Sequence, residues 1–284
     1  MMNVSRRKKT NAVLFHFFAI LLGFFMIYPL LWLLSSSFKS NETIFVDSYS
    51  LIPKTFDIIE NYRSGWKGIA GVSFGTFLMN SAIVTIIGTV TCVLSSLCAA
   101  YAFTRVKFKF SNFWFGCVMV TLMIPPQVMV VPQYIILKRL HLIDTLSALI
   151  LPWCFGAAFF IFLMTQFFRG VPKELDEAAA IDGCGKIGVL FKILVPVAKP
   201  TIMTSGIFAF YWIWQDFFQP LIFMNSTKKF TVSLALNMYL DPNAFNNYGG
   251  LFAMSLISLL PIIIFFIMFQ RYLVDGIAMD GIKG

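Results

Sequence analysis

Side chains that could carry covalent or metal chemistry are few in this chain, and they stand far apart. The sequence has two histidines, His16 and His141, and five cysteines, most of them inside apolar runs and none in a C-x-x-C pair. These residues form no cluster with the spacing of metal ligands. The segment from Gly183 to Lys186 has neither the spacing nor the hydroxyl of a G-x-x-x-x-G-K-[ST] phosphate loop. The sequence therefore predicts a chain that is not an enzyme and has no catalytic, metal-binding or cofactor-binding residue of its own.

One polar stretch, residues 171–200, lies between two long apolar runs. Its residues could dock another protein. Pro172 suits the first turn of a helix, and three acidic residues follow at the end where the helix dipole favours negative charge. Three alanines then continue the helix, and Gly183 and Gly185 end it. We expect a second short helix over residues 187–194.

This stretch allows two interpretations. In the first, its helix lies at a membrane surface, and an alanine face lets another protein approach the backbone closely. In the second, it is an ordinary solvated loop with helix caps, since many loops contain a helix. The chemistry of the residues leaves both interpretations open.

The elements that must position this stretch are membrane helices. The chain of 284 residues is 58% hydrophobic and only 12% charged, with a mean hydropathy of +0.80, whereas soluble domains are about 25% charged. We predict an all-α polytopic membrane protein with six transmembrane helices, over residues 13–35, 77–103, 113–137, 146–168, 200–224 and 250–269. The first apolar run is too long for a signal peptide and lacks a small-residue cleavage site, so we interpret it as an uncleaved span.

The net charge of +9 has a membrane explanation. Lysines and arginines stand beside apolar runs, mainly at the N-terminus, after the second span, in residues 171–200 and near the C-terminus. Cytoplasmic loops of membrane proteins carry such an excess. We therefore expect both termini and the polar stretch in the cytoplasm, and no nucleic-acid partner.

Two other segments have features that bear on function. Prolines at 125, 126 and 132 predict that the third span is kinked and buried among other helices, because lipid cannot satisfy the backbone groups that they free. The loop over residues 40–75 is expected to be partly folded. It is either a docking surface for an extracytoplasmic partner or a plain packed loop.

Aromatic and hydrogen-bonding side chains alternate in the fifth span. They are Tyr211, Trp212, Trp214, Gln215 and Asp216. Sugars present apolar ring faces for stacking and hydroxyls for amides and carboxylates, so this segment is a candidate part of a substrate path. The alternative is an interfacial aromatic belt, which the late position of Asp216 in the span favours.

The polar stretch resembles the EAA loop of ABC-importer permeases. The resemblance rests on Glu177-Ala178-Ala179, then Gly183, Ile193 and Pro196, and Pro172, Glu174, Leu175, Asp182 and Pro200 extend it. The closest similarity is to the carbohydrate-uptake branch, the family of the smaller maltose-type permease. Trp214, Asp216, Phe217, Pro220 and Leu221, together with a Q-R-Y ending followed by a final K-G, also resemble that branch.

The resemblance implies the type I ABC-importer permease fold and roles for particular residues. Residues implied in ATPase coupling are Glu174, Glu177, Ala178, Ala179, Asp182 and Gly183. Residues implied in a tail contact to the ATPase are Gln270, Arg271, Lys283 and Gly284. The implied organisation has an N-terminal cytoplasmic segment, first helix and extracytoplasmic loop over 1–75, a transmembrane domain over 76–270 with the coupling loop at 171–200, and a cytoplasmic tail over 271–284.

The resemblance also implies partners and a location. They are a second, different permease, two ATPase subunits that carry ATP and Mg²⁺, and an extracytoplasmic binding protein that delivers a sugar or oligosaccharide. The expected location is a bacterial-type inner membrane. The alternative is an ion-coupled secondary transporter, which would need membrane-embedded charges; Asp216 is its one good candidate, and no basic partner stands in the spans.

Overall fold

Helices form almost all of the chain, as the apolar pattern predicts. The computed structural model describes the backbone of residues 2–240 and 247–281 and the side chains of residues 11–240 and 247–272. Within them, the only extended pairing is a single bridge between Ile69 and Val72. The helices are α1 Met2–Ser36, α2 Thr43–Val46, α3 Ile58–Lys67, α4 Phe74–Arg105, α5 Ser111–Thr121, α6 Pro126–Arg139, α7 Leu146–Ile150, α8 Ala158–Gly170, α9 Glu174–Ile181, α10 Lys186–Gly188, α11 Val195–Val197, α12 Lys199–Gln215, α13 Phe218–Phe223, α14 Val232–Met238 and α15 Tyr248–Gly281.

The described residues contain four helical segments long and apolar enough to cross a membrane, over 11–36, 74–105, 146–170 and 248–272. Two further candidates are bent pairs, which would bring the number to the predicted six if each pair forms one span. The first pair, α5 and α6, bends by 106°, because Pro125 takes an extended backbone before Pro126 begins α6. This bend confirms the kink predicted from the prolines. The burial predicted with it is not found in this chain, since α5 has no buried residue and α6 has only Val130 and Leu137.

Three helices differ in extent from the predicted segments. The second helical segment of the polar stretch extends beyond 187–194: it begins at Lys186, passes through a π-helical turn over Val189–Leu194 and ends with α11, bent by 81° from α12. The fifth span's helix ends at Gln215, and a break at Asp216 separates it from α13. Finally, α15 continues to Gly281, so much of the expected tail is helical.

The chain divides into two compact units, and the first contains residues 1–74 and 236–258. Its loop is folded around two buried polar side chains. Lys39 Nζ donates to the carbonyl oxygens of Asp47 and Ser50 at 2.8 and 2.7 Å, and Asn61 Nδ2 donates to those of Ser37 and Lys39 at 2.9 and 2.8 Å. These bonds satisfy carbonyl groups that helices and strands do not use, and they agree with the expectation of a partly folded loop.

The second unit contains residues 75–235 and 259–284. A cluster of buried side chains in this unit joins α4, α8, the polar stretch and α12. The members are Cys92, Val93, Leu97, Ala100, Phe160, Met164, Phe168, Val171, Ala179, Val189, Leu190, Leu194, Ala198 and Ala209. Several are alanines, which let membrane helices approach closely enough for van der Waals packing. The polar stretch is thus part of the core of this unit.

A carboxylate clamp ties two loops of the second unit outside the spans. Asp144 accepts hydrogen bonds from the backbone amides of Asn225 and Ser226 at 3.0 and 2.9 Å and from the Ser226 hydroxyl, and Lys229 Nζ lies 3.4 Å from its carboxylate. Desolvation alone would raise the pKa of Asp144. The hydrogen bonds from Ser226 and Asn225 and the charge of Lys229 outweigh it and lower the pKa to about 2.

Candidate functional site

The helix α9 forms where the sequence places its charges and its stop signal. Glu174, Asp176 and Glu177 occupy its first turn, where the helix dipole favours carboxylates. The helix ends at Ile181, and Gly183 follows with a φ of +79°, in the left-handed region. The amide of Cys184 closes the turn on the Ala179 carbonyl at 2.9 Å. Glycine adopts this conformation without the strain of a Cβ atom.

The expected alanine docking face is divided between two sides of α9. Ala178 is exposed, but only 5% of Ala179 is accessible, because its methyl group packs into the core cluster of this chain. Of the other residues expected in coupling, Glu174, Glu177, Asp182 and Gly183 are exposed. Ala179 therefore anchors α9 to its own chain, and the other five residues lie on the surface of the chain.

Apolar side chains add to the exposed surface of the polar stretch. Leu175, Ile181, Ile187 and Phe191 have exposed fractions of 43%, 87%, 75% and 50%. They lie among exposed acidic and basic side chains on a segment that joins two spans. Exposed apolar side chains grouped within a polar rim are typical of protein interaction sites.

Arg105 at the end of α4 holds the start of α9. Its Nε lies 2.5 Å from the Asp176 carboxylate, its Nη2 donates to the Val171 carbonyl at 2.8 Å, and its side chain is only 6% exposed. Four residues earlier on α4, the Tyr101 hydroxyl donates to the Lys186 carbonyl at 2.8 Å. One end of α4 thus holds the polar stretch both before and after α9.

Sequence reasoning missed these anchors. Arg105 has the position of a charge that the positive-inside rule explains without any partner. A detectable signal was the spacing of Tyr101 and Arg105, which are four residues apart and therefore share one face of the helix.

The residues predicted for a substrate path have different environments. Tyr211 and Gln215 are exposed on one face of α12. Trp212 packs against Phe160 with ring centroids 5.1 Å apart, and Trp214, which is 6% exposed, stacks on Phe210. Both tryptophans are therefore packing residues in this chain.

Asp216 caps the short helix α13. Its carboxylate accepts the backbone amides of Phe218 at 3.1 Å and Gln219 at 3.4 Å, and its carbonyl accepts the Ser233 hydroxyl. This is the arrangement of a carboxylate that satisfies free N–H groups at a helix start. The structure therefore gives the carboxylate of Asp216 partners in α13 and its carbonyl a partner in α14.

The residues predicted for a tail contact lie partly beyond what is described. Gln270 and Arg271 are exposed near the last side chains of α15 that the structure describes, and Arg271 donates to the Tyr272 hydroxyl at 3.0 Å. Lys283 and Gly284 fall outside the described residues. Within the described part of the chain, no group of three or more His, Cys, Asp or Glu side chains could hold a metal ion.

Known proteins with similar sequences are transport proteins. The profile of the family described as "Binding-protein-dependent transport system inner membrane component" matches residues 92–278. The "Probable ABC transporter permease protein YurM" of Bacillus subtilis (strain 168) is 40% identical over 258 residues, which cover 90% of this chain and 84% of YurM. The "Arabinooligosaccharides transport system permease protein AraQ" of Halalkalibacterium halodurans is 34% identical over 283 residues, 98% of this chain and 100% of AraQ.

A solved structure has the same fold. It is a chain from the crystal structure of a bacterial ABC transporter involved in the import of the acidic polysaccharide alginate. The TM-score is 0.78 at 22% identity, over 93% of this chain and 95% of that chain. The family profile and the two permeases, which align along nearly the whole chain, show that the chain belongs to the family of binding-protein-dependent transport system inner membrane components, the permeases of ABC transporters.

Proposed function

We propose that this chain is the permease subunit of an ATP-driven importer and that the exposed face of α9 docks onto an ATPase subunit. The observation that carries this proposal is the two-sided environment of α9. Ala179 is buried in the chain's own core, whereas Ile181, two residues further along and therefore on the opposite side of the helix, is 87% exposed. A helix that is fixed to its own chain on one side and exposes an apolar side chain on the other is suited to transmit a partner's movement.

The movement would pass from α9 into the spans through named contacts. A push on α9 acts on α4 through the pair of Asp176 with Arg105 and through the bond from Tyr101. It acts on α8 and α12 through the shared core cluster. Because packed cores do not deform continuously, these elements would move together between two discrete arrangements.

In this proposal, partner subunits hydrolyse the ATP that drives transport. Two ATPase subunits bind ATP and Mg²⁺, and a second, different permease completes the path. An extracytoplasmic binding protein delivers the substrate to the side opposite α9. We propose an inner-membrane location with both termini and α9 in the cytoplasm, which agrees with the concentration of basic residues near α9.

The proposed substrate is a sugar or oligosaccharide. AraQ, which matches this chain along its whole length, is named for the transport of arabinooligosaccharides. On α12, Tyr211 offers an exposed ring and hydroxyl, and Gln215 offers an exposed amide one helical turn further on. We assign these two side chains, rather than the packed tryptophans, to the substrate path.

The alternative of an ion-coupled transporter needs a membrane-embedded carboxylate that is free to bind the ion. Asp216 was its best candidate, and the backbone amides of Phe218 and Gln219 already use its carboxylate. That engagement favours the ATP-driven importer.

A cross-linking experiment tests the docking surface. Ile181→Cys and Ile264→Cys place thiols at residues that are 87% and 56% exposed, the first on α9 and the second on the apolar helix α15. In membranes that contain all co-expressed subunits, Ile181→Cys should cross-link to an ATPase subunit and Ile264→Cys should not. Cross-linking of neither thiol, with intact co-purification of the ATPase through another segment, would refute the docking role of α9.

A transport measurement tests the substrate path separately. Gln215→Ala should raise KM for sugar uptake while the protein's abundance in the membrane is unchanged, because its side chain is exposed. Trp214→Ala should lower abundance, because it removes a buried ring. An unchanged KM for Gln215→Ala would remove that residue from the path.

A further inference from the structure

We propose that the second unit binds an anionic phospholipid in a groove between the end of α4, α5 and the start of α8. The groove has a volume of about 480 Å³. Its walls are mainly apolar and include Phe103, Phe108, Trp114, Cys117, Val118 and Ile161. Such a lining suits an acyl chain, since it offers van der Waals contact and few polar groups that would need a partner.

The wall that α5 gives the groove is about as long as one leaflet of a bilayer is deep. Helix α5, which provides one wall, has 11 residues and is therefore about 16 Å long at a rise of ~1.5 Å per residue. The hydrocarbon core of a bilayer is about 30 Å thick, so one leaflet has about half that depth. The sharp bend between α5 and α6 follows directly after α5, so this wall ends close to the depth at which a lipid chain ends.

The mouth of the groove carries positive charge. Phe108 lines the groove, and its neighbours Lys107 and Lys109 are both exposed. The guanidinium of Arg169 lies 4.6 Å from the centroid of the Phe115 ring, which is itself 5.5 Å from the groove-lining Phe103 ring. The sequence has no acidic residue over 103–115 or 158–173. Basic side chains beside an apolar groove at a membrane surface attract anionic head groups.

The mouth lies on the same side of the membrane as α9, because Arg105, two residues before Lys107, contacts Asp176 of α9. With the orientation proposed above, the lipid belongs to the cytoplasmic leaflet. Three exposed aromatic side chains near the mouth, Phe110, Phe113 and Trp114, suit the head-group region of that leaflet. A helix of a neighbouring permease could also fill an apolar groove. Lys107 and Lys109 have no ion-pair partner among the side chains that the structure describes, and their positive charge favours the lipid.

The thiol of Cys117 in the groove wall reports its occupant. The complex is purified in neutral detergent with its co-purifying subunits, and phosphatidylglycerol or phosphatidylcholine is added at increasing mole fraction. The rate of maleimide modification is measured at Cys117 by peptide mass spectrometry, with the exposed Cys98 of α4 as an internal reference. We expect phosphatidylglycerol to slow the modification of Cys117 in a saturable way, at a mole fraction where phosphatidylcholine does not slow it. The modification rate of Cys98 should not change.

Two double variants separate head-group recognition from general charge. In K107Q/K109Q, the mole fraction of phosphatidylglycerol for half protection should rise about 30-fold, since each lysine contributes a factor of roughly five to six. The matched control K67Q/K228Q removes two exposed lysines elsewhere and should leave it unchanged. Equal protection by both lipids would overturn the proposal, because the head group would not be recognised. Slow modification of Cys117 at every lipid content would also overturn the proposal, in favour of a protein helix that covers the groove.

Discussion

Replacing Arg105 by methionine should release α9 from the spans without unfolding them. The substitution keeps most of the side-chain volume but removes the charge and both donors that contact Asp176 and Val171. The Asp176 carboxylate, whose side chain is only 20% exposed, then lacks its cation. The variant therefore keeps a partly buried carboxylate without its counter-charge. This unpaired charge is the cause of the expected loss of stability at the start of α9.

The expected size follows from the burial of the pair. Removing one partner of a buried ion pair costs about 3–5 kcal/mol. Because water reaches part of Asp176, we expect the lower end, about 3 kcal/mol, which corresponds to roughly a 150-fold change in an equilibrium constant. Arg105→Lys keeps a charge but cannot make both contacts, and the lost hydrogen bond to Val171 corresponds to about 1 kcal/mol, roughly five-fold.

Hydrogen exchange of the backbone amides measures this release directly. Amides over residues 178–184 should exchange about 150-fold faster in Arg105→Met, whereas those over residues 207–213 of α12 should stay within about two-fold. Arg169→Met is the matched control, since Arg169 is an exposed arginine on the same side of the membrane that stacks on Phe115. Sugar uptake should fall in Arg105→Met, while ATP hydrolysis by the co-purified subunits continues.

Two results would refute this reasoning. Unchanged exchange over residues 178–184 would mean that the ion pair does not hold α9. Equal acceleration over residues 207–213 would mean that Arg105 stabilises the whole unit, so that lost uptake would reflect lost fold and not lost transmission.

Three further changes test other parts of the site. Gly183→Ala should speed exchange in α9 about ten-fold, because a left-handed backbone costs about 1–2 kcal/mol for other residues, whereas Gly185→Ala, at a φ of −71° with open space around it, should have no effect. Ala178→Leu should reduce co-purification of the ATPase and leave thermal stability unchanged, whereas Ala179→Leu should lower thermal stability by overpacking the core, at about 1–3 kcal/mol. Because the pKa of Asp144 is about 2 when folded and 3.8 ordinarily, its clamp should be at full strength above about pH 4 and weaken as the pH falls toward 2. Exchange over residues 225–231 should show that acid dependence in the native chain and not in Asp144→Asn.

The sequence predicted most of the helices and the position of α9 because both depend on local composition. Long apolar runs cross a membrane as helices, because a helix satisfies the hydrogen bonds of its own backbone groups. The charges and Gly183 mark the two ends of α9 without any knowledge of its neighbours. The proline kink before Pro126 was predictable for the same reason.

The environments of individual side chains were not predictable in this way. Ala178 and Ala179 are chemically identical neighbours, and only packing decides which is buried. Arg105 obeys the positive-inside rule whether it is paired or solvated. The cap formed by Asp216 left a weak signal, an aspartate just before a short helix, but the apolar residues on both sides made the segment resemble one continuous span.

The contacts around α9 explain why a polar anchor is suited to this position. The one buried residue of α9, Ala179, contributes only a methyl group, and contact at a single small side chain leaves a helix free to rotate about its axis. Arg105 contacts both the chain before α9, at Val171, and its first turn, at Asp176, while Tyr101 holds the chain beyond it at Lys186. Contacts at three places along the segment fix rotation as well as position. A docking helix held in this way would turn α4 with it, which is the movement that the proposed coupling requires.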